Sequence, residues 1–410
     1  MSKIQVDSIV NKDDTGSPNF PKGATVTGVI TATSFTGDVN GDAQGLSGTP
    51  NIIVGVTTAS TVSASSSITV GDTFLQNTAV GLGTTDTTGR NAGVGTAKGT
   101  LIYNSTTKGV EVYDGNNWVT GLQSFSATGG TKDTTSRSGY TVHTFTSPGT
   151  FTVTGSVDLD IEYVVIAGGG GGGGQSHGGG GGAGGYRTGS SFPVTAGNYP
   201  VTIGAGGAGQ VGPTIGANGS DTSFSTITSS GGGRGASSYG GANPGGSGGG
   251  GGAEASSPIY TAGTGNSGGY TPAEGNDGGN GTAAGSGNRG AGGGGGAGGA
   301  GAIGGSSPIR GGNGGAAVTS SITGSTVYYA GGGGGGCGDG TGTAGLGGGV
   351  SPAPTKGGGG DGTNNATKSD DAVANTGGGG GGSGRGPTGV TYADGGAGGS
   401  GIVIIAYPTP

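Results

Sequence analysis

The hexapeptide "GAGGAG" at residues 204–209 has the G-x-G-x-x-G spacing of a dinucleotide-binding turn and follows a strand-like segment. That chemistry needs a helix to open immediately afterwards, with its free amides aimed at a pyrophosphate. The next residues, "QVGPTIGANG", cannot open one, and chance matches are expected where glycine is this dense. The remaining reactive groups are sparse. His143 and His177 are the two histidines; His143 alternates with Val142 and is expected at the surface, and His177 interrupts two glycine runs. Cys337 stands alone, which excludes an internal disulfide and a cysteine-based metal site. Asp370 and Asp371 form a carboxylate pair, but adjacent residues rarely converge on one glycosidic bond. No serine lies in a nucleophile elbow. The expectation is a protein that is not an enzyme and carries no cofactor and no metal.

What remains is recognition chemistry. The segments "SSYGGANPGG", "EASSPIYTAGTGNSGGYTPAEGNDG" and "GRGPTGVTYADGG" concentrate Tyr, Asn, Ser and Thr between glycine runs. Tyrosine among small polar residues is the composition of adaptable binding surfaces. Tyr239, Asn243, Tyr260, Asn266, Tyr270 and Tyr392 are therefore the candidate receptor-binding residues. The alternative for the tyrosines is that they only cover the glycine-rich region.

Such loops need elements to hold them. Of the 117 glycines, 94 fall after residue 160, in runs such as Gly168–Gly174, Gly178–Gly182, Gly331–Gly336 and Gly377–Gly382. Collagen would require a strict triplet period and more than the 16 prolines present. Flexible linkers would not recur between segments bearing Tyr and Ile. A bundle of polyglycine-II helices fits: three residues per turn, no internal hydrogen bonds, and amides that bond sideways to neighbours. Ordering costs roughly 1–2 kcal/mol per residue, and a hydrogen bond returns about 1 kcal/mol. The lattice therefore needs an apolar anchor. Two apolar strands bracket it, Ile161–Ala167 and residues 400–408, and Tyr163, Val165, Ile402 and Ile404 are expected to form a structural clamp. Gln175, Ser176 and His177 become a turn between antiparallel glycine helices.

The rest of the chain reads as short strands and turns, without an amphipathic helix, so the fold class is all-β with a glycine bundle. The divisions are 1–50, an attachment segment with first shaft repeats; 51–98, a β shaft; 99–122, a hairpin module anchored by Trp118; 123–139, a linker; and 140–410, the distal glycine-rich domain. The net charge of −7 argues against nucleic-acid binding. No apolar window reaches transmembrane length, so no membrane insertion is expected. The N-terminus lacks a signal-peptide core.

In this order, "IEYVVIAGGGGGGG", "YPVTIGAGGAG", "NGSDTSFSTITSSGGG" and "GGSGIVIIAY" resemble the glycine-rich domain of many bacteriophage tail fibres and adhesins, over roughly residues 140–408. In related phage adhesins, and in the glycine-rich domain of some receptor tyrosine kinases, such segments stack as polyglycine-II helices. The adhesins' variable loops contact the host. "MSKIQVDSIVNKDDTGSPNFPKGATVTG", "ITATSFTGDVNG" and "GTLIYNSTTKGVEVYDGNNW" are similar to the attachment opening, shaft repeats and hairpin of marine cyanophage structural proteins. That resemblance implies an elongated, fibrous homotrimer in the virion, made in the host cytoplasm. It would be joined to tail or baseplate proteins through its N-terminus, with a host-surface polysaccharide or protein as receptor. The alternative is a purely structural appendage such as a head fibre, neck or baseplate connector. A third reading is an ice-binding or matrix protein, although the regular threonine spacing of an ice-binding face is missing.

Overall fold

The computed structural model describes residues 84–94, 97–120, 125–155, 158–253, 261–284, 288–338, 342–349, 353–386 and 393–409, together with Asp13 and Thr27. The expected attachment segment and most of the expected shaft lie outside the described residues, as do Tyr260 and Tyr392. The chain divides into two units, Met1–Val80 and Gly81–Pro410, and the elements below belong to the second. It is nearly all β.

The described residues begin with a four-stranded sheet. Thr84–Thr85 runs parallel to Leu101–Asn104, which continues as an antiparallel meander through Gly109–Tyr113 and Trp118–Thr120. The first hairpin turns at Lys108 (φ 54°) and the second at Gly115 (φ 107°), where Asp114 accepts from the amides of Asn116 and Asn117. Trp118 is half-buried against Tyr113, with ring centroids 5.4 Å apart. The module starts earlier than residue 99. The stretch expected to be β shaft ends in a short helix, Thr87–Gly93, capped by Asp86, which accepts from Gly89 N. Arg90 ties the helix to the sheet through buried Glu111 at 2.8 Å, and Asn104 and Thr107 also donate to that carboxylate. Every lone pair facing inward thus has a donor, which is what lets a carboxylate sit there.

Two five-stranded antiparallel sheets then face each other. The first runs, in spatial order, Tyr186–Val194, Leu159–Ile166, Ile402–Pro408, Tyr140–Phe145 and Thr131–Asp133; the second runs Ile227–Ser229, Thr222–Phe224, Gly197–Thr202, Gly149–Gly155 and Phe125–Thr128. Side chains alternate across a strand, so Ile161, Tyr163, Val165, Val403, Ile405 and Tyr407 meet Phe151, Val153, Val201 and Phe224 between the sheets. Val164, Ile166, Ile402, Ile404 and Ala406 pack on the opposite face with Ala183, Ile322 and Tyr329. Both faces of the two central strands are covered, which explains why these segments are apolar at nearly every position. They pair directly, Val165 with Val403 and Tyr163 with Ile405.

Two expectations are corrected here. Residues 125–139 are not a linker: Phe125 and Ala127 are buried in the sandwich core, and Gly129 and Gly130, both at positive φ, pass the chain from one sheet to the other. His143 is not a surface residue. It is fully buried, with Nδ1 2.7 Å from Gly129 O and Nε2 3.1 Å from the Tyr407 hydroxyl. The carbonyl only accepts, so Nδ1 carries the proton and Nε2 accepts from Tyr407.

The glycine runs are ordered by hydrogen bonds of another kind. Gly168 and Gly171 donate to Ser220 and Ala217, Gly169 and Gly172 to Gly399 and Gly396, and Gly170 and Gly173 to Gly182 and Gly179, all at 2.8–3.0 Å. The partner segment changes with a period of three residues. The run after the turn repeats this pattern. Gly178, Gly181 and Gly184 donate to Ser383, Gly380 and Gly377; Gly179, Gly182 and Gly185 to Ala236, Gly233 and Ser230; Gly180 and Ala183 to Gly292 and Gly295. Its carbonyls accept from three further segments, through Gly170 and Gly173, Ser247 and Gly250, and Gly333 and Gly336. This run is thus enclosed by glycine backbones on all sides. A Cβ on Gly180 would fall inside the Gly333 carbonyl, and one on Gly172 inside that of Gly381.

At the outside of the lattice, where no further backbone stands opposite, Asx side chains supply the acceptor. Arg234 N donates to Asn218 Oδ1 (3.1 Å), Gly265 N to Asp277 (2.7 Å), Ala262 N to Asn280 (2.9 Å), Leu346 N to Asn313 (2.9 Å), and Gly347 N to Asp361 (2.7 Å). Ala397 N and Gly212 N are satisfied in the same way by Asp371 and Asp394.

Candidate functional site

The hydrogen-bond register fixes two ends of the lattice. Strand Leu159–Ile166 passes directly into the run 168–174, so residues 167–168 mark the base, where Ala167 N also meets Gly185 O. Seven residues further on, the chain turns at Gln175, Ser176 and His177, all at positive φ (74°, 92° and 55°), and this turn marks the far end. Bonds from Gln175 N to Ala393 O, Gly178 N to Ser383 O, Gly336 N to Gly178 O and Ala253 N to His177 O bring four other segments to the same level. Loops 211–216 and 237–242, the paired strands Thr282–Ala284 and Asn288–Gly290, and the paired strands Gly305–Ser306 and Ile309–Arg310 lie at this apex. At the base lie loop 266–274, the hairpin Val318–Tyr329 and residues 372–377.

The apex interior is closed. His177, Cys337 and Ser383 are buried, and burial pushes the Cys337 thiol up to about 11, so it is no thiolate nucleophile at neutral pH. Its rim is different. Val211 is 58 %, Ile215 44 % and Tyr239 52 % exposed, and Ile215 packs over Gly240, which places the two loops side by side. Arg234 Nε reaches Gly241 O at 3.4 Å, and Asp394 holds Gly212 N from below. Large apolar side chains are scarce in this chain, so a rim that exposes three of them over an ordered lattice is the candidate contact surface.

The residues expected to bind a receptor are distributed between the two ends. Tyr239 stands on the apex rim. Asn243 lies half-buried along a row; its amide donates to Asn218 Oδ1 (3.1 Å) and its backbone carbonyl accepts from Gly249. Asn266 and Tyr270 meet at the base. Asn266 (φ 52°) accepts from the amides of Tyr270 and Glu274 and donates to Tyr270 O, and the Tyr270 ring lies 4.0 Å from the Arg187 guanidinium carbon. Sequence reading missed Val211 and Ile215, whose only signal is an apolar residue on each side of a Gly-Pro turn.

Tyr163 and Val165 face the core between the sheets, Ile402 and Ile404 the core beneath the lattice. The Asp371 carboxylate belongs to the lattice edge, accepting from Ala397 N and pairing with Lys368, both at 2.7 Å, whereas Asp370 is exposed and joins the lattice through its backbone, N to Asp361 O and O from Gly381 N. The "GAGGAG" segment is a lattice row, its Gly207 donating to Gly169 O, and no helix follows it. Among the described residues no three His, Cys, Asp or Glu side chains gather as a metal site would require, and no helix is long and apolar enough to cross a membrane.

A comparison with curated proteins found no match. A family model for a glycine-rich domain matches residues 145–408, a span that opens at the end of strand Tyr140–Phe145, takes in every glycine run, and closes on the last residue of the central strand. That span is well over half of the chain, and the chain belongs to this glycine-rich domain family.

Proposed function

We propose that this is a non-enzymatic bacteriophage tail-fibre protein whose glycine-rich domain binds the host surface with its apex. The observation that carries the reading is the exposed rim of Val211, Ile215 and Tyr239, held on ordered rows at the end of the lattice opposite the sandwich. The rows are polyglycine-II helices in this reading, supported by the period of three in their donations. The N-terminal segment joins the fibre to other virion proteins, and the chain works as a homotrimer on the outside of the particle. Among the described residues, each strand from Phe125–Thr128 to Ile402–Pro408 pairs within its own chain, and the trimer contact is assigned in this reading to the N-terminal repeats.

The test is competition. Purified full-length chain added to susceptible bacterial cells should reduce adsorption of particles that carry it, and Tyr239→Ala together with Ile215→Ser should abolish the effect. A folded chain that binds cells no better than a control protein and leaves adsorption unchanged overturns the adhesin reading in favour of a purely structural appendage.

A further inference from the structure

A second site lies at the base, away from the apex. The hairpin Val318–Tyr329 covers the outer face of the first sheet, and between it, the edge strand Tyr186–Val194 and loop 271–274 there is a groove. The groove has two lobes, of about 350 and 280 Å³, which share Tyr163 and Thr188. Together they lie in the size range of small-ligand sites, roughly 300–1,000 Å³.

The first lobe is lined by the hydroxyls of Thr188, Ser190, Ser320 and Ser321 and by an ion pair, Arg137 with Glu162. The pair is bidentate, at 2.6 and 2.9 Å, and the Tyr140 ring lies 3.6 Å from the Arg137 guanidinium carbon, so its geometry is set before any ligand arrives. The side chains remain 22 and 29 % exposed, which leaves them open to a ligand. The second lobe is the more apolar of the two, with Tyr186, Pro272, Ala273 and Val318 on its walls; its charged residues are engaged elsewhere, Arg187 donating to Thr228 O (3.0 Å) beside the Tyr270 ring and Glu274 accepting from Ser230 N (2.9 Å).

Charge selects the class of ligand. A carboxylate or phosphate drawn to Arg137 would also meet Glu162, and an amine drawn to Glu162 would meet Arg137. A neutral polyhydroxy compound satisfies both, because each hydroxyl donates and accepts; the serines offer the same two-way bonding, and the Thr188 hydroxyl, which donates to Tyr163 O, is left to accept. The apolar lobe beside it suits the C–H face of an adjoining ring. We infer that this groove binds a neutral saccharide of two or three units, independently of the apex.

Saturation-transfer NMR of the full chain with cellobiose, maltotriose and N,N′-diacetylchitobiose tests this, with acetate and putrescine as charged probes. At least one saccharide should give saturable transfer and neither charged probe should. Ser321→Trp, which fills the polar lobe, and Ala273→Trp, which fills the apolar lobe, should each weaken binding at least about tenfold. Glu162→Gln, which keeps the packing, should weaken it too and decides the matter if the filled variants do not fold. Tyr239→Ala should leave binding unchanged, so a failed apex reading and a failed groove reading are separable. Absence of transfer from all three saccharides, transfer that persists in Glu162→Gln and in the folded filled variants, or a preference for a charged probe overturns the proposal.

Discussion

Glycine at an inner lattice row and glycine at a loop are different residues in physical terms. Gly180 has no room for a methyl group, because neighbouring backbones stand where its Cβ would be, whereas Gly241 has open space. Gly180→Ala should therefore destabilise the domain by about 1–3 kcal/mol or more, as overpacking of a rigid core does, while Gly241→Ala should stay within about 0.5 kcal/mol. Thermal unfolding of the two variants checks the contrast. His143 gives a pH signature. Burial lowers its pKa below the ordinary 6.5, and the bond to Gly129 O only partly offsets this. The unfolded chain then takes up a proton that the folded chain refuses, so stability is full above about 6.5 and falls as pH drops through that value. Denaturant titrations at pH 7.5 and 5.5 should show the loss, and His143→Gln should flatten it. The sequence hid this residue for a clear reason. Strand Tyr140–Phe145 is covered on both faces, so alternation in "YTVHTF" could not tell an inward residue from an outward one.

At the scale of elements, the two apolar strands and the glycine runs were legible, because unbroken apolar runs demand burial and glycine runs that recur at similar length suit side-by-side packing of backbones. The strand Phe125–Thr128 was not, since four residues with two inward side chains leave almost no period to read. Asn-Gly and Asp-Gly pairs have a second use here. In most chains they punctuate turns, but Asn218, Asp277, Asn280, Asn313 and Asp361 each precede a glycine and serve as side-chain acceptors for an outer row. Asn313→Ala should cost about 1 kcal/mol, a typical hydrogen bond, and speed amide exchange at Leu346 while leaving Gly180 and Gly181 protected. Exchange measured by NMR distinguishes this local opening from global unfolding. The tyrosine-bearing loops resist sequence reading for a related reason. Tyr239 and Tyr270 sit in similar company along the chain, and only the register of the rows places one at the apex and the other at the base.

For the whole molecule, the arrangement of the first sheet matters most. Strand Ile402–Pro408 lies between Leu159–Ile166 and Tyr140–Phe145 and contributes to both cores. Without it the sandwich loses its centre and the lattice loses its anchor, since the bonds of the glycine rows alone do not offset the entropy of ordering them. A chain ending at residue 400 should therefore show no cooperative unfolding transition in either part, measured by calorimetry and by exchange at the glycine amides; a lattice that stays protected in that chain would show the anchor to be dispensable. The same arrangement constrains manufacture. The ribosome releases this central strand only after every glycine run has been made, so the nascent domain waits, unanchored, until its final segment emerges. Chains cut short by premature termination or proteolysis would be left unfolded rather than nearly native, and an assembly that accepts only folded subunits would thereby exclude them without any separate inspection step.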